Sequence, residues 1–305
     1  RPGTLVEEEA GGAHTVGLKQ TILFPYVVLG SLINFCDCLM AGGTSRKNHS
    51  EVGSSYIHFN YTPHQDKATP SLIGDVPHGV LLDQPPIFLG GQGGLMGPAR
   101  LAFGAIVPAG IIRRKDALNP GLAGEDKQIQ AAAGGFTVGA YRSIDRIIRN
   151  NLIYIGNIYA LRAWYRHVRA QFMTKEKFRS ACLAGALERL ESISGERINR
   201  LDELAGKMPR SIELNERAGA AGNGSYLQQQ KYFADIWRRM KEEISRLAQF
   251  EGDTSKRDVL LAEISERHSQ QPYLTALAAL SLKSKSGATG WLQSIVDRVA
   301  GIWKT

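Results

Sequence analysis

Cysteine is nearly absent: Cys36, Cys38 and Cys182 are the only three in 305 residues. Three thiols cannot build a disulfide framework, which excludes the small cross-linked secreted folds. Cys36 and Cys38 form a C-x-C pair with no matching second pair, so no metal centre is expected. Long apolar runs are missing too. None reaches the roughly 18 residues a membrane helix needs, and no secretory signal is recognisable at the start. A cytoplasmic protein without a membrane partner is therefore expected. The chain opens on Arg1 instead of methionine, so further residues are expected upstream. Net charge is missing from one region only. Residues 1–116 hold nine basic and nine acidic residues, so the whole +8 belongs to residues 117–305. A basic excess can attract nucleic acid. Here it is interspersed with acids at helical spacing, which reads as a solvated helix face, and a nucleic-acid partner is not expected.

What residues 1–116 do contain is a beat of six. Leu23, Leu29, Phe35 and Ala41 keep it, as do Val27, Ile33 and Leu39. After an interruption Leu89, Leu95, Leu101 and Val107 resume it, each followed four places later by Gly93, Ala99, Ala105 or Ile111. Neither a helix, with its period of 3.6, nor a single strand, with its period of 2, produces that spacing. It is the hexapeptide-repeat pattern of a parallel β-helix: a short strand, a corner, a large aliphatic pointing inward. Gly90, Gly97, Gly104 and Gly110 suit its turns. An ordinary α/β fold would interpose amphipathic helices of ten or more residues, and residues 16–116 show none.

Beyond "DALNPGLAGED", residues 116–126, the grammar changes. Ile144, Ile147, Ile148, Leu152, Ile155, Ile158, Leu161 and Trp164 step by three or four, which predicts an amphipathic helix. "KFRSACLAGALERLESI", "YFADIWRRMKEEISRLAQF", "DTSKRDVLLAEISERHSQQ" and "TGWLQSIVDRVAGIW" predict four more. Thr174 is a candidate N-cap in "TKEKF". "AGAAGNGS", residues 218–225, reads as a break between helices. Two domains are expected: a β-helix over 1–116 with a loop at 58–71, and an α-helical domain over 117–305. Because solenoid ends expose open strand edges, the helices are expected to cap the C-terminal end of the coil.

The interruption, residues 45–75, gathers His58, Asn60, Tyr61, His64 and Lys67 within ten residues. Polar loops leaving a rigid scaffold are natural binding elements, though many are merely solvated. Here "VGSSYIHFNYTPHQDKATPSLIGD" and the following "IFLGGQGGLMGPARLAFGAIVPAGIIRRKD" resemble the acetyltransferase half of the bifunctional glucosamine-1-phosphate acetyltransferase/UDP-N-acetylglucosamine pyrophosphorylase family. The resemblance covers roughly residues 50–116. It rests on the Asn60-Tyr61 pair, the loop lysine Lys67 and a gapless tail ending in Lys115-Asp116. It implies a left-handed coil, a homotrimer with sites in the grooves between subunits, acetyl-CoA as co-substrate, and a sugar phosphate or nucleotide sugar as acceptor. Asn60 and Tyr61 would then contact acetyl group and sugar, and Lys67, with His64 nearby, the phosphate.

N-acyl transfer also needs a base, because an amine attacks a thioester only after losing its proton. Neither His49, 11 residues before Asn60, nor His58, two before it, aligns with the family's histidine. Both are candidates by chemistry, His58 because strand alternation sets it on the side of Asn60. Each has the alternative of an ordinary hydrogen-bonded histidine. Acyl-CoA-dependent N-acylation of an amino sugar phosphate is the leading expectation. Two others stand beside it. One is a pyrophosphorylase-related nucleotidyltransferase whose catalytic part lies outside this chain, which has no Gly-rich nucleotide loop of its own. The other is a non-catalytic trimeric scaffold whose helical domain binds a partner.

Overall fold

The computed structural model describes residues 3–124, 136–174, 176–218, 224–268 and 270–303. The first part is built of short parallel strands in two sheets. One has eight strands, running from Leu5–Val6 through Val16–Leu23, Ile33–Met40, Ile57–Phe59 and Gly94–Met96 to Ile112–Arg113, with Ser71–Ile73 and Arg100–Leu101 branching off it. The other has six: Gly11–Gly12, Val27–Leu29, Ser50–Val52, Phe88–Leu89, Ala105–Val107 and Gly121–Leu122. Between the sheets lie most residues of the six-residue beat, while Leu39 and Ala41 pack into the core shared with the helices. Leu23, Leu29, Phe35, Leu89, Leu95, Leu101 and Val107 are each at most 2% exposed. Burying such a side chain stabilises the fold by roughly 1.5–3 kcal/mol. Glycine is needed where backbones close up: a Cβ on Gly90 would sit 2.2 Å from the Ala109 nitrogen, and Gly110 turns with φ 78°.

The regular left-handed, three-sided coil expected from the sequence is not what these strands form. They gather into two parallel sheets, and their spacing varies. Val16 lies beside Ile33, Asn34 beside Ile57, Ile57 beside Gly94 and Gly94 beside Ile112, offsets of 17, 23, 37 and 18 residues. The six-residue beat determines which side chains point inward. It does not encode the connections, and here the excursions around residues 44–49 and 60–86 change the length of each circuit.

The remainder is helical, as the periodicity predicts. A helix over Asp145–Trp164 runs into a wide π-helical turn, Tyr165–Arg169, and then Ala170–Met173. Lys177–Arg217 is a single 41-residue helix, followed by Gly224–Leu247, Thr254–Glu263, Tyr273–Ala279 and Leu282–Ala300. Thr174 does not cap the long helix. Its hydroxyl donates to the Ala170 carbonyl at 2.9 Å, and Glu176 occupies the N-cap position. Most of the 218–225 break and the end of the 116–126 boundary lie outside the described residues. No helix among the described residues is long and apolar enough to cross a membrane.

The helices do not sit on the end of the strand stack as expected; they lie along its flank. Hydrogen bonds join the halves from Glu7 near one end to Asp116 near the other, by way of Asp37, Asp66, Ala68, Val76 and Pro98. The excursions are the reason. Ala68, Leu72, Val76, Val80 and Leu81 leave the strand core and join the helical one with Ile155, Trp164 and Trp291.

Candidate functional site

The polar loop, the first place to look for chemistry, is occupied by the helices. His58 is 2% exposed. Its Nδ1–H donates to the Cys36 carbonyl, and its Nε2 accepts from the Ser71 hydroxyl at 2.8 Å, the arrangement of a neutral ring. Burial pushes its pKa down to about 4, against the raising effect of the Cys36 hydrogen bond. Strand alternation does turn His58 and Asn60 the same way, but toward the interior. Asn60 donates to Asp37 at 2.9 Å, and Asp37 is paired at 2.9 Å with Arg197, which is 1% exposed. Arg197 also reaches the Lys67 carbonyl at 3.3 Å. His64 stacks on Tyr141, with centroids 4.3 Å apart, and its Nδ1 accepts from the Gly139 amide at 3.1 Å. Lys207 donates to the carbonyls of His64 and Gln65. Asp66 accepts from the hydroxyls of Tyr141 and Thr62 at 2.7 and 2.5 Å. Tyr61 is 54% exposed and apart from this network. His49 borders a different, shallow depression, held by the Arg46 carbonyl at 2.8 Å and Glu51 at 3.3 Å. Asn60, His64 and Lys67 thus join a seam between the two halves, and neither histidine singled out as a base stands beside them in an open groove.

A second polar cluster, which the sequence did not announce, surrounds a pocket of about 730 Å³. Five pieces of chain build it: the first strand with its following turn, residues 5–8; Tyr26; the π-helical turn and the segment after it, residues 165–173; the start of the long helix; and the start of the Tyr273–Ala279 helix. π-Helical turns are rare and often found at functional sites. This one keeps both Tyr165 and Arg169 on the pocket wall.

Tyr165 donates its hydroxyl to Glu7 at 2.5 Å. Burial raises the Glu7 pKa to about 7, outweighing the lowering by Arg169 and by the Tyr165 hydrogen bond. Arg169 is 4% exposed and lies 4.0 Å above the Tyr273 ring, whose hydroxyl accepts from the Trp164 indole at 2.9 Å. One guanidinium nitrogen pairs with Glu8 at 2.7 Å, while Nε and Nη1 find no hydrogen-bond partner among the described residues. Phe172, Met173, Pro272 and Leu274 supply apolar wall, and Arg179 and Cys182 stand at the long helix. The arrangement can hold an anion against a buried cation and exchange a proton near neutrality.

Tyr165 and Arg169 are one helical turn apart, but Glu7 and Tyr273 come from positions that no spacing rule links to them. Only the unusual density of Tyr, Trp and Arg in "ALRAWYRHVRAQF" could have drawn attention to them.

No family model matches this sequence, and no curated protein matches it. The likeness to the glucosamine-1-phosphate acetyltransferase half therefore fails on two counts: it finds no match, and the strands do not form that family's coil. The glycines and aliphatics that carried it are what any stack of short parallel strands requires.

Proposed function

We propose that this protein binds a small anionic molecule in the pocket of Glu7, Tyr165, Arg169 and Tyr273, and that Glu7 exchanges a proton with it. The observation that carries this is a buried arginine with two unpartnered nitrogens beside a carboxyl whose pKa is pushed up to about 7, in a pocket of small-molecule size. Structural ion pairs do not need an adjoining cavity, and this one has it. Arg169→Met removes the cation while keeping much of the side-chain bulk. Calorimetric titration with inorganic phosphate and with glucosamine 1-phosphate is expected to show binding that weakens at least about tenfold in the variant. Equal affinity in wild type and variant would remove the proposal.

The narrower reading is transfer of an acyl group from acyl-CoA to an amino sugar phosphate. Ionised Glu7 would take the proton of the attacking amine. The nitrogen–carbon bond forms, the carbon–sulfur bond breaks, and the departing thiolate takes up the proton from Glu7. What supports it is that the pocket combines a cation suited to phosphate with a base of suitable pKa. Thiol release from acetyl-CoA in the presence of glucosamine 1-phosphate tests it; binding without release leaves only the broader reading.

Self-association, which the family resemblance implied as a homotrimer, would use the outer face of the six-stranded sheet. Val28, Phe88, Ile106 and Leu122 lie in one register row there, interrupted by Glu51, and are between 38% and 74% exposed. Such a row is costly to leave in water. Light scattering should show an oligomer that Ile106→Asp dissociates.

A further inference from the structure

Tyr26 borders two depressions at once. One is the pocket of Glu7, Tyr165 and Arg169. The other, about 600 Å³ and more open, is walled by Glu9, Arg46 and His49 over a floor of Gly11, Gly12 and Leu29. Consecutive carboxylates hold the cation of each: Glu8 pairs with Arg169 in the first, Glu9 with Arg46 in the second. Both Glu9 and Tyr26 adopt left-handed backbone, with φ of 62° and 64°. That conformation is unfavourable for residues other than glycine. At Glu9 the turn carries neighbouring side chains into different depressions.

The two differ in chemistry. The first has a buried guanidinium with nitrogens to spare. In the second the Arg46 cation is matched by Glu9, and His49 lies 3.3 Å from Glu51, so a second anion would gain little there. A turn closed by the Thr44 amide donating to the Asn48 carbonyl at 2.8 Å holds Arg46 and His49 in place. Gly11 offers open backbone, with nothing within 4 Å of where a Cβ would stand. A carboxylate, a guanidinium and an imidazole around an aromatic ring and bare backbone can donate and accept hydrogen bonds within a small area. A polyhydroxylated ring uses all of these.

We infer that the two depressions are lobes of one site for a sugar phosphate. The phosphate lies with Arg169, and the sugar ring crosses Tyr26 to meet Glu9, Arg46 and His49. This rests on the anion-binding reading of the first pocket. The test is calorimetric titration of the full chain, as wild type, Tyr26→Ala and Arg46→Ala, with inorganic phosphate and with glucose 1-phosphate. Wild type should bind glucose 1-phosphate about tenfold more tightly than inorganic phosphate, the effect of one or two additional hydrogen bonds. Each variant should lose most of that preference, and Arg46→Ala, which lies outside the first pocket, should keep its affinity for inorganic phosphate. Arg46 is exposed and Tyr26 only partly buried, so neither change empties a core. If both ions bind wild type equally, or both variants keep the preference, the second lobe is refuted and the anion site stands. If neither ion binds, both ideas fall.

Discussion

Two polar clusters join the strand half to the helical half, and they differ in where their unused bonding capacity lies. At the seam of residues 58–71, Asn60, His58, His64, Asp66 and the carbonyl of Lys67 all meet partners, while the Thr69 hydroxyl and the Arg197 Nε find none among the described residues. Around Glu7 and Arg169 the pairing is incomplete, and a cavity adjoins it. A buried polar group without a partner costs stability, so a fold retains one where something else uses it. Density of polar residues marked the first cluster; two spare nitrogens on one guanidinium beside a cavity mark the second.

The sharpest way to break this comparison is at Arg197. Replacing it with methionine leaves Asp37 buried without its ion pair, and Asn60 and the Lys67 carbonyl lose their anchor. Stability should fall by about 3–5 kcal/mol in urea titrations. A loss below about 1 kcal/mol would mean the seam does not hold the halves together.

The two clusters also respond to acidity with opposite sign. His58 has a folded pKa of about 4, below that of the unfolded chain, so its contribution is lost as pH falls from about 6.5 through 4. Glu7 has a folded pKa of about 7, above its unfolded value, so stability linked to it is lost as pH rises from about 4.5 through 7. Each is worth at most about 3 kcal/mol, and less for Glu7, which is only partly buried. Urea midpoints between pH 4 and 8 separate them. Glu7→Gln should remove the decline toward pH 8, and His58→Gln should flatten the decline toward pH 4. A Glu7→Gln protein with the wild-type profile would show that this carboxyl does not titrate near neutrality.

The smallest effect is expected at Tyr61. It is 54% exposed and outside the network, so Tyr61→Ala should change stability by less than about 0.5 kcal/mol. It should also leave phosphate affinity unchanged. A loss of binding there would return the site to the loop.

By itself the sequence determined which side chains are inside and where strand gives way to helix. Leu89, Leu95, Leu101 and Val107 are buried as their spacing requires, and the helical periodicity over residues 144–164 became a helix. These are local properties: a side chain's direction follows from its place in a repeat. The tertiary structure alone decided how the strands are grouped, that the helices run along the flank, and which polar residues remain short of partners. Asn60 looked reactive because nothing in its neighbourhood along the chain predicts that Asp37, held by Arg197 from 160 residues further on, accepts its amide hydrogen. Glu7 and Arg169 looked unremarkable for the same reason. Whether a polar group is satisfied depends on the atoms packed against it, and those come from distant parts of the chain.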